Sequence, residues 1–318
     1  MQRHPSSFSM SQTKQSNPPK WPLLASFFII ILAEQISTTP RQQWLVTYQC
    51  NASEKPSQES LWDYCRQSHQ NQARVSSWDL SFSLAFHIAS ILAAPVFAAL
   101  SNSIGRRPIL LLTLISFLLK NLGVFIVSKF NTSLWVLFGF YLVAGLLGGI
   151  GGSLSVVQAY LTDGSDFNRL DSLFIHLESA TMLSHLMGPL LGGALSRLYG
   201  VSIAFKTSAG LFLVGYSAVA IFVKESIHKF ADFPPSLLSC ITSSFTSMAQ
   251  TLKRIRLVDK WILLTILLGS GIANGAKTIF TMWTAYKFGW DAFSMGTFSF
   301  LRSAANVVVM YLLLPLQP

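Results

Sequence analysis

Residues 101–112 read SNSIGRRPILLL, and this short polar stretch lies between two long apolar runs of the chain. The run before it is WDLSFSLAFHIASILAAPVFAAL, and the run after it is ILLLTLISFLLKNLGVFIVS. Each run holds about 20 residues, enough for a helix rising 1.5 Å per residue to cross roughly 30 Å of hydrocarbon. The glycine, the two arginines and the proline are therefore predicted to form a tight turn between two membrane helices.

The composition of the whole chain agrees with this interpretation. Only 11% of the 318 residues are charged and 51% are hydrophobic, whereas an ordinary soluble domain carries about 25% charged residues. The net charge of +10 is spread over short loops, which favours a membrane-orientation signal over nucleic-acid binding. Eight segments are predicted to span the membrane: 21–39, 79–100, 109–128, 134–160, 172–195, 203–223, 261–284 and 293–315.

The loops predict the orientation of these spans. Most of the loop lysines and arginines fall on the side of the N-terminus, which places the N-terminus in the cytosol and the long loop 40–78 outside. That loop carries a glycosylation sequon at Asn51 and two cysteines, Cys50 and Cys65. An oxidising compartment would allow a disulfide between the two cysteines, and two reduced thiols are the alternative.

The chain divides into four predicted parts. Residues 1–20 form a disordered cytoplasmic tail, 21–223 the first six-helix bundle, 224–260 a cytoplasmic linker, and 261–318 spans 7 and 8. Apolar residues recur in the linker at the spacing of one helix face: Leu238, Ile241, Phe245, Met248, Leu252 and Ile255. This pattern predicts an amphipathic helix, either lying on the cytoplasmic membrane surface or packed loosely as a connector.

The turn between spans 2 and 3 resembles the hallmark loop of the major facilitator superfamily, Gly-x-Leu-x-Asp-Arg-x-Gly-Arg-Arg. The chain keeps Leu100 and the triplet Gly105, Arg106 and Arg107. Three positions depart from the family pattern, namely Ala98, Asn102 and Ser103. Residues 286–315 look like spans 7 and 8 of a fungal-type branch that is distantly similar to the proton-coupled folate transporter group.

This resemblance implies an all-α integral membrane fold with twelve spans in two six-helix bundles. Our chain would then hold a complete first bundle and two helices of the second, about eight spans in all. We therefore expect a C-terminally incomplete chain, with a short isoform or a remnant as alternatives. The resemblance also implies a cytoplasmic gate built on Gly105, Arg106 and Arg107. Asp163 and Asp166 are the nearby carboxylates that could pair with its arginines.

Ionisable residues inside predicted spans are costly and therefore mark candidate functional positions. Glu34 in span 1 is either a proton or cation site or a side chain that reaches the outer interface. Glu178 and His185 share one face of span 5, which suits proton relay, and a structural polar pair is the alternative. Arg302 in span 8 could bind an anionic substrate group.

Three further features of the spans carry expectations. Lys120 in span 3 should either reach the interface or pair within the first bundle. The stretch GPLLGG at 188–193 is predicted to break span 5 as a bend or hinge. The sequence contains neither a phosphate-binding Walker loop nor a Cys/His cluster, so we expect no ATP-driven pump and no metal site.

These observations together predict a secondary active transporter that moves a small organic solute by alternating access, with proton coupling as an added hypothesis. The alternative is a truncated, non-transporting membrane remnant that acts as an interaction protein. An enzyme is not expected, and neither is a cofactor or nucleic acid. The expected partners are the lipid bilayer, the solute and protons. The expected location is the plasma membrane or a vacuolar or other internal membrane.

Overall fold

The computed structural model describes residues 19–50, 65, 67–163, 165, 167–226, 237–254, 259–262, 264–265, 268–269, 280 and 283–313. The longer elements in these residues are all α-helices. They are α1 (Trp21–Gln49), α2 (His69–Ile104), α3 (Arg106–Phe130), α4 (Leu134–Leu146), α5 (Gly149–Thr162), α6 (Phe167–Tyr199), α7 (Val201–Phe222), α8 (Leu237–Arg254) and α9 (Ala292–Leu313).

Five helical stretches in the described part of the chain are long and apolar enough to cross a membrane. They are Trp21–Gln49, His69–Ile104, Arg106–Phe130, Leu134–Thr162 and Val201–Phe222. Helix α6 has 33 residues, also enough to cross a bilayer, but it carries more polar side chains. Predicted span 7, 261–284, lies mostly outside the described residues. The chain is thus a multi-pass, all-α membrane protein.

Helices α1 and α2 extend well into the segment 40–78, which was predicted to be a loop. Helix α1 continues through Pro40 to Gln49, although proline removes one backbone donor from a helix. The carbonyl that loses this donor belongs to Ile36, and it lies where a side chain at Gly192 of α6 would be. Helix α2 begins at His69, after Ser68, whose hydroxyl accepts from a backbone N–H of the first turn at 3.3 Å.

Predicted span 4 is interrupted by two glycines with left-handed backbone angles. Gly148, between α4 and α5, has φ 98°, and Gly149, the first residue of α5, has φ 51°. The Gly148 carbonyl accepts from the backbone N–H of Gly152 at 2.7 Å and from the Ser90 hydroxyl of α2 at 2.7 Å. A Cβ at Gly148 would lie 3.0 Å from the Phe97 ring, so the interruption also lets α2 approach closely.

Helix α6 is not broken at GPLLGG, which corrects the predicted hinge. It runs without interruption from Phe167 to Tyr199, with Pro189 inside it. Its glycines serve close packing on both sides, because Gly188 and Gly192 face α1 while Gly193 faces α9. We call α1–α7 the first bundle, in which α1 packs on α6 and α7, and α2 packs on α4 and α5.

Helix α9 packs against α6 near one end of the first bundle. A Cβ at Gly193 would lie 2.7 Å from Phe293 Cα, and one at Gly296 would lie 3.1 Å from Leu190 Cα. Along α9 the side chains change from buried at Ala292 (1% exposed) to exposed at Leu301 (60%). We call this end of the molecule the Cys50 end, and the opposite end, where α2 turns into α3, the Gly105 end.

The linker helix α8 contacts α2. The Ser244 hydroxyl donates to the Pro95 carbonyl at 3.3 Å, and Pro95 lies more than two helical turns before the end of α2. The basic residues at the end of α8, Lys253 and Arg254, are exposed. The linker thus contains a helix at the expected place, and this helix makes a protein contact through a serine.

Candidate functional site

The turn at Gly105 is closed by a carboxylate from a distant part of the chain. Gly105 has φ 118°, which a residue with a side chain would adopt only under strain. The two oxygens of Glu225, three residues after α7, accept from the backbone N–H of Arg106 at 2.8 Å and of Arg107 at 3.1 Å. A carboxylate at this position satisfies two of the free N–H groups at the start of α3 and complements the helix dipole.

The Arg106 side chain continues this cluster and is itself buried. Its guanidinium bonds Asp163, just after α5, with Nε 3.0 Å from Oδ2, and it donates to the Ser101 hydroxyl at 2.6 Å. The Ser226 hydroxyl donates to the same Asp163 oxygen at 2.7 Å. We call Arg106, Asp163, Glu225 and Ser226 the clasp, because they join the ends of α2, α3, α5 and α7.

Two more cations lie beside the clasp. The Lys20 ammonium donates to the carbonyls of Tyr160 at 2.9 Å and Asp163 at 2.6 Å, at the C-terminal end of α5. Burial lowers the pKa of Lys20, and the nearby Asp163 carboxylate partly opposes that shift. Arg107 donates to the Ala220 carbonyl. Asp166, the other predicted partner of the arginines, lies outside the described residues.

An ion pair lies in the interior of the first bundle. The Lys120 ammonium of α3 contacts Glu34 Oε1 of α1, and both side chains are largely buried. The ammonium also lies over the rings of Phe86 at 4.3 Å and Phe117 at 5.3 Å. The second oxygen of Glu34 has no hydrogen-bond partner among the described residues. Glu34 is thus paired inside the protein and does not reach the outer interface, and Lys120 pairs within the first bundle.

A second charged group lies nearer the Cys50 end. Arg41 of α1 lies 3.7 Å from the buried Asp79 of α2, and it donates to the Tyr141 hydroxyl of α4. We call Glu34, Lys120, Arg41, Asp79 and Tyr141 the charged network. It contains two cations and two carboxylates on four helices, so its fixed charges balance.

The other predicted site residues are not joined to this network. Glu178 is exposed, and no ion pair joins it to His185 in the part of the chain that the structure describes. The Nδ1 atom of His185 lies 2.8 Å from the Thr181 carbonyl, one turn earlier in α6. Arg302 is exposed on α9. The seven-residue spacing therefore places Glu178 and His185 along one side of α6 without bringing them into contact.

The Cys50 end is stapled by a disulfide between Cys50 and Cys65, whose Cα atoms are 5.5 Å apart. The buried Asn71 side chain donates to the carbonyls of Val46 at 3.0 Å and Cys65 at 3.1 Å. These contacts fix the start of α2 against the end of α1. The sequon residue Asn51 lies outside the described residues.

Five residues of the clasp and the charged network were not predicted from the sequence: the charged residues Glu225, Arg41 and Asp79, and the hydroxyl-bearing residues Ser226 and Tyr141. Glu225 belongs to the predicted linker, where a carboxylate looks like a solvated charge. Arg41 and Asp79 lie at the margins of the predicted spans 1 and 2, where charges are common. The sequence did hold one indication for Arg41 and Asp79. They carry opposite charges at the outer ends of neighbouring predicted spans, which favours an ion pair if the helices extend beyond the predicted spans.

The comparisons with known proteins agree with this architecture. The family model of the Major Facilitator Superfamily matches residues 61–317. The chain belongs to the major facilitator superfamily. This is a family of membrane transporters and not of enzymes. The structure also matches the human organic anion transporter MFSD10 (TETRAN) with a TM-score of 0.61 at 18% identity, over 90% of this chain and 70% of that one.

Two bacterial proteins show sequence similarity to this chain. The class C tetracycline resistance protein of Escherichia coli is 30% identical over 146 residues, which is 45% of this chain and 34% of that protein. The class H tetracycline resistance protein of Pasteurella multocida is 26% identical over 223 residues, which is 67% of this chain and 53% of that protein. The chain thus spans about a third of one relative's length and about half of the other's.

Proposed function

We propose that the protein is a secondary active transporter that moves a small organic solute by alternating access. The observation that carries this proposal is the way α9 meets the first bundle. In α9, Ala292 and Met295 are buried near the Cys50 end, and among the side chains described further along, Leu301, Arg302 and Val308 are exposed. Such a contact is what a transporter closed on one side requires, because rocking about a midplane site opens one end while it closes the other.

The clasp supports this proposal, because it makes the Gly105 end of the first bundle rigid. Arg106, Asp163 and Glu225 hold four helix ends together, so these helices would move as one body. Following the predicted orientation, the Gly105 end faces the cytosol and the Cys50 end faces the outside or an organelle lumen. The plasma membrane and a vacuolar or other internal membrane both fit this orientation.

The proton-coupling part of the proposal rests on Glu34. One of its oxygens pairs with Lys120, and the other is buried without a partner. The Phe86 and Phe117 rings can partly stabilise the ammonium when the carboxylate is neutral. We therefore propose the Glu34 carboxylate as the group of this pair that carries the coupling proton. Glu178 and His185 form a second candidate relay on α6, and Arg302 is a candidate for an anionic substrate group.

The test uses the purified chain in proteoliposomes with an imposed pH gradient. Tetracycline, named in both bacterial relatives, is the first solute, and movement is followed by its fluorescence alongside an internal pH dye. We expect solute movement that depends on the gradient, and loss of that dependence in Glu34→Gln. Glu178→Gln and His185→Ala test the second relay in the same assay.

Lys129→Gln is the control for charge removal, because Lys129 is exposed at the Cys50 end of α3. If a panel extended to other drugs and organic anions moves no faster than through protein-free liposomes, the transport proposal is wrong. If movement keeps its pH dependence in all three variants with normal protein yield, neither relay carries the proton.

A further inference from the structure

Among the described residues, the contacts at the Cys50 end include two sets, beside the packing of α9 on α1. On one side, α6 and α9 meet through Gly193 and Gly296. On the other side, α2 meets the segment that precedes α9, and the described contact there is between His69 and Tyr286. The first set is a close backbone approach over several residues, whereas the second is, among the contacts described, a pair of side chains.

The geometry of this pair is that of a hydrogen bond between two rings that contact each other at a tilt. The Tyr286 hydroxyl lies 2.6 Å from His69 Nε2, and the ring centroids are 4.5 Å apart at 45°. A neutral imidazole accepts a hydrogen bond from a phenol hydroxyl at this position. His69 is exposed, so water can replace the contact when the two sides separate.

Both partners lie beside positions that are fixed or buried. His69 is the first residue of α2, next to the Ser68 cap and the Asn71 contacts with Cys65 and Val46. Tyr286 follows Ala285, which is fully buried. The pair therefore connects two anchored elements, and it must break when α2 moves away from the segment 283–288.

We propose that His69 and Tyr286 form a latch that holds the Cys50 end closed, so that both are positioning residues for alternating access. This inference rests on the proposed function, since it assumes that the two sides separate during a transport cycle. A single hydrogen bond that competes with water should bias the closed state by about three- to tenfold. It can therefore set the balance between the two states without preventing opening.

The experiment measures opening directly, without a transported solute. Ser196 on α6 is 8% exposed and its hydroxyl has no partner among the described residues. It lies one turn after Gly193, on the side that faces α9. We would introduce Ser196→Cys in a Cys240→Ser background and measure its reaction with a membrane-impermeant maleimide added at the Cys50 end. Cys50 and Cys65 are joined to each other and do not compete.

We expect Tyr286→Phe and His69→Leu each to raise the labelling rate about three- to tenfold, because each removes the same hydrogen bond. The double variant should label no faster than either single variant. Lys287→Ala, an exposed neighbour of Tyr286, should leave the rate unchanged. An elution volume in gel filtration and a melting temperature equal to those of the Ser196→Cys, Cys240→Ser chain show that each variant is folded.

Unchanged labelling in both single variants would overturn the latch, and so would effects that multiply in the double variant. These outcomes are separate from those of the transport test. If the chain transports solute but the labelling rate is the same in all variants, the transport proposal stands and the latch is rejected. If labelling responds as expected but the chain moves no solute, the latch stands and the proposed transport function is rejected.

Discussion

Replacing Lys120 with methionine should strongly destabilise the first bundle, because the buried Glu34 carboxylate then loses its ammonium partner. Removing one member of a buried ion pair typically costs about 3–5 kcal/mol. The cost should lie at the upper end here, since the second Glu34 oxygen already has no hydrogen-bond partner among the described residues. Methionine is about as long as the apolar part of the lysine side chain, so lost packing adds little to this cost.

Removing the other charge, by Glu34→Gln, should destabilise the chain by about 1–2 kcal/mol less than Lys120→Met does. The Lys120 ammonium keeps its contacts with Phe86 and Phe117, and a desolvated cation over an aromatic ring gains up to about 2 kcal/mol. The amide oxygen of glutamine can also accept a hydrogen bond from the ammonium. The double variant, Glu34→Gln with Lys120→Met, should lie within about 1 kcal/mol of the unmodified chain, because neither charge is left unpaired.

The assay is reversible unfolding in mixed micelles at neutral pH, with the four chains of a double-mutant cycle. We expect a coupling free energy of at least about 2 kcal/mol between positions 34 and 120. Lys129→Met is the matched control and should change stability by less than about 0.5 kcal/mol, since Lys129 is exposed. A double variant as unstable as the sum of its two single variants would refute the reasoning, as would equal costs for the two single changes.

Three further outcomes are expected from unfolding measurements on the same chain. Gly192→Val should lower the free energy of unfolding by about 3 kcal/mol or more, because the new side chain would collide with the Ile36 carbonyl. Gly139→Ala has open space around it and should lower it by less than about 1 kcal/mol. Equal effects would contradict the packing argument. Glu225→Ala should lower the stability by about 1–2 kcal/mol through the lost cap on α3, and a melting temperature unchanged from that of the unmodified chain would argue against it. Because burial lowers the pKa of Lys20, the unfolded chain binds that proton more tightly, so the free energy of unfolding should rise as the pH increases toward 10.5; a Lys20→Gln chain with the same slope of stability against pH would contradict this.

The order of the helices follows from the apolar runs and the turn, but the helix ends do not. Hydropathy marks the part of a helix that lies in hydrocarbon, whereas the helix itself continues as long as its backbone groups find partners. Pro40 illustrates the difference, because a local rule places a helix end there. In the folded chain the carbonyl freed by Pro40 lies against Gly192 of another helix, and no local pattern contains that neighbour.

The candidate site was predictable where two residues share an end of the bundle. The ends of predicted spans 2 and 4 lie on one side of the membrane, so Asp163 was a reasonable partner for Arg106. Glu225 has a less specific signal, since its role depends on where the chain turns after α7. For Glu34 and Lys120, opposite charges at similar depth favour pairing, but only the packing of α1 beside α3 decides between pairing and reaching the interface.

The spacing of Glu178 and His185 shows how far periodicity alone can lead. Seven residues place two side chains on one stripe of a helix, and this holds whatever the neighbours are. Periodicity does not tell whether the stripe faces a cavity, another helix or lipid. The exposure of Glu178 and the bond of His185 to its own helix depend on where α1, α7 and α9 lie around α6.

The clasp also has a consequence for biosynthesis. The backbone N–H of Arg106 and its acceptor Glu225 are 119 positions apart, so the carboxylate emerges from the ribosome only after α3 through α7 have also been made. During that interval the two arginines have no cap at the start of α3. Free cations in a short loop are what the insertion machinery uses to decide which side of the membrane a loop stays on. The same arginines can thus first direct the insertion of the nascent chain and later take up their contacts with Asp163, Ala220 and Glu225 in the finished bundle.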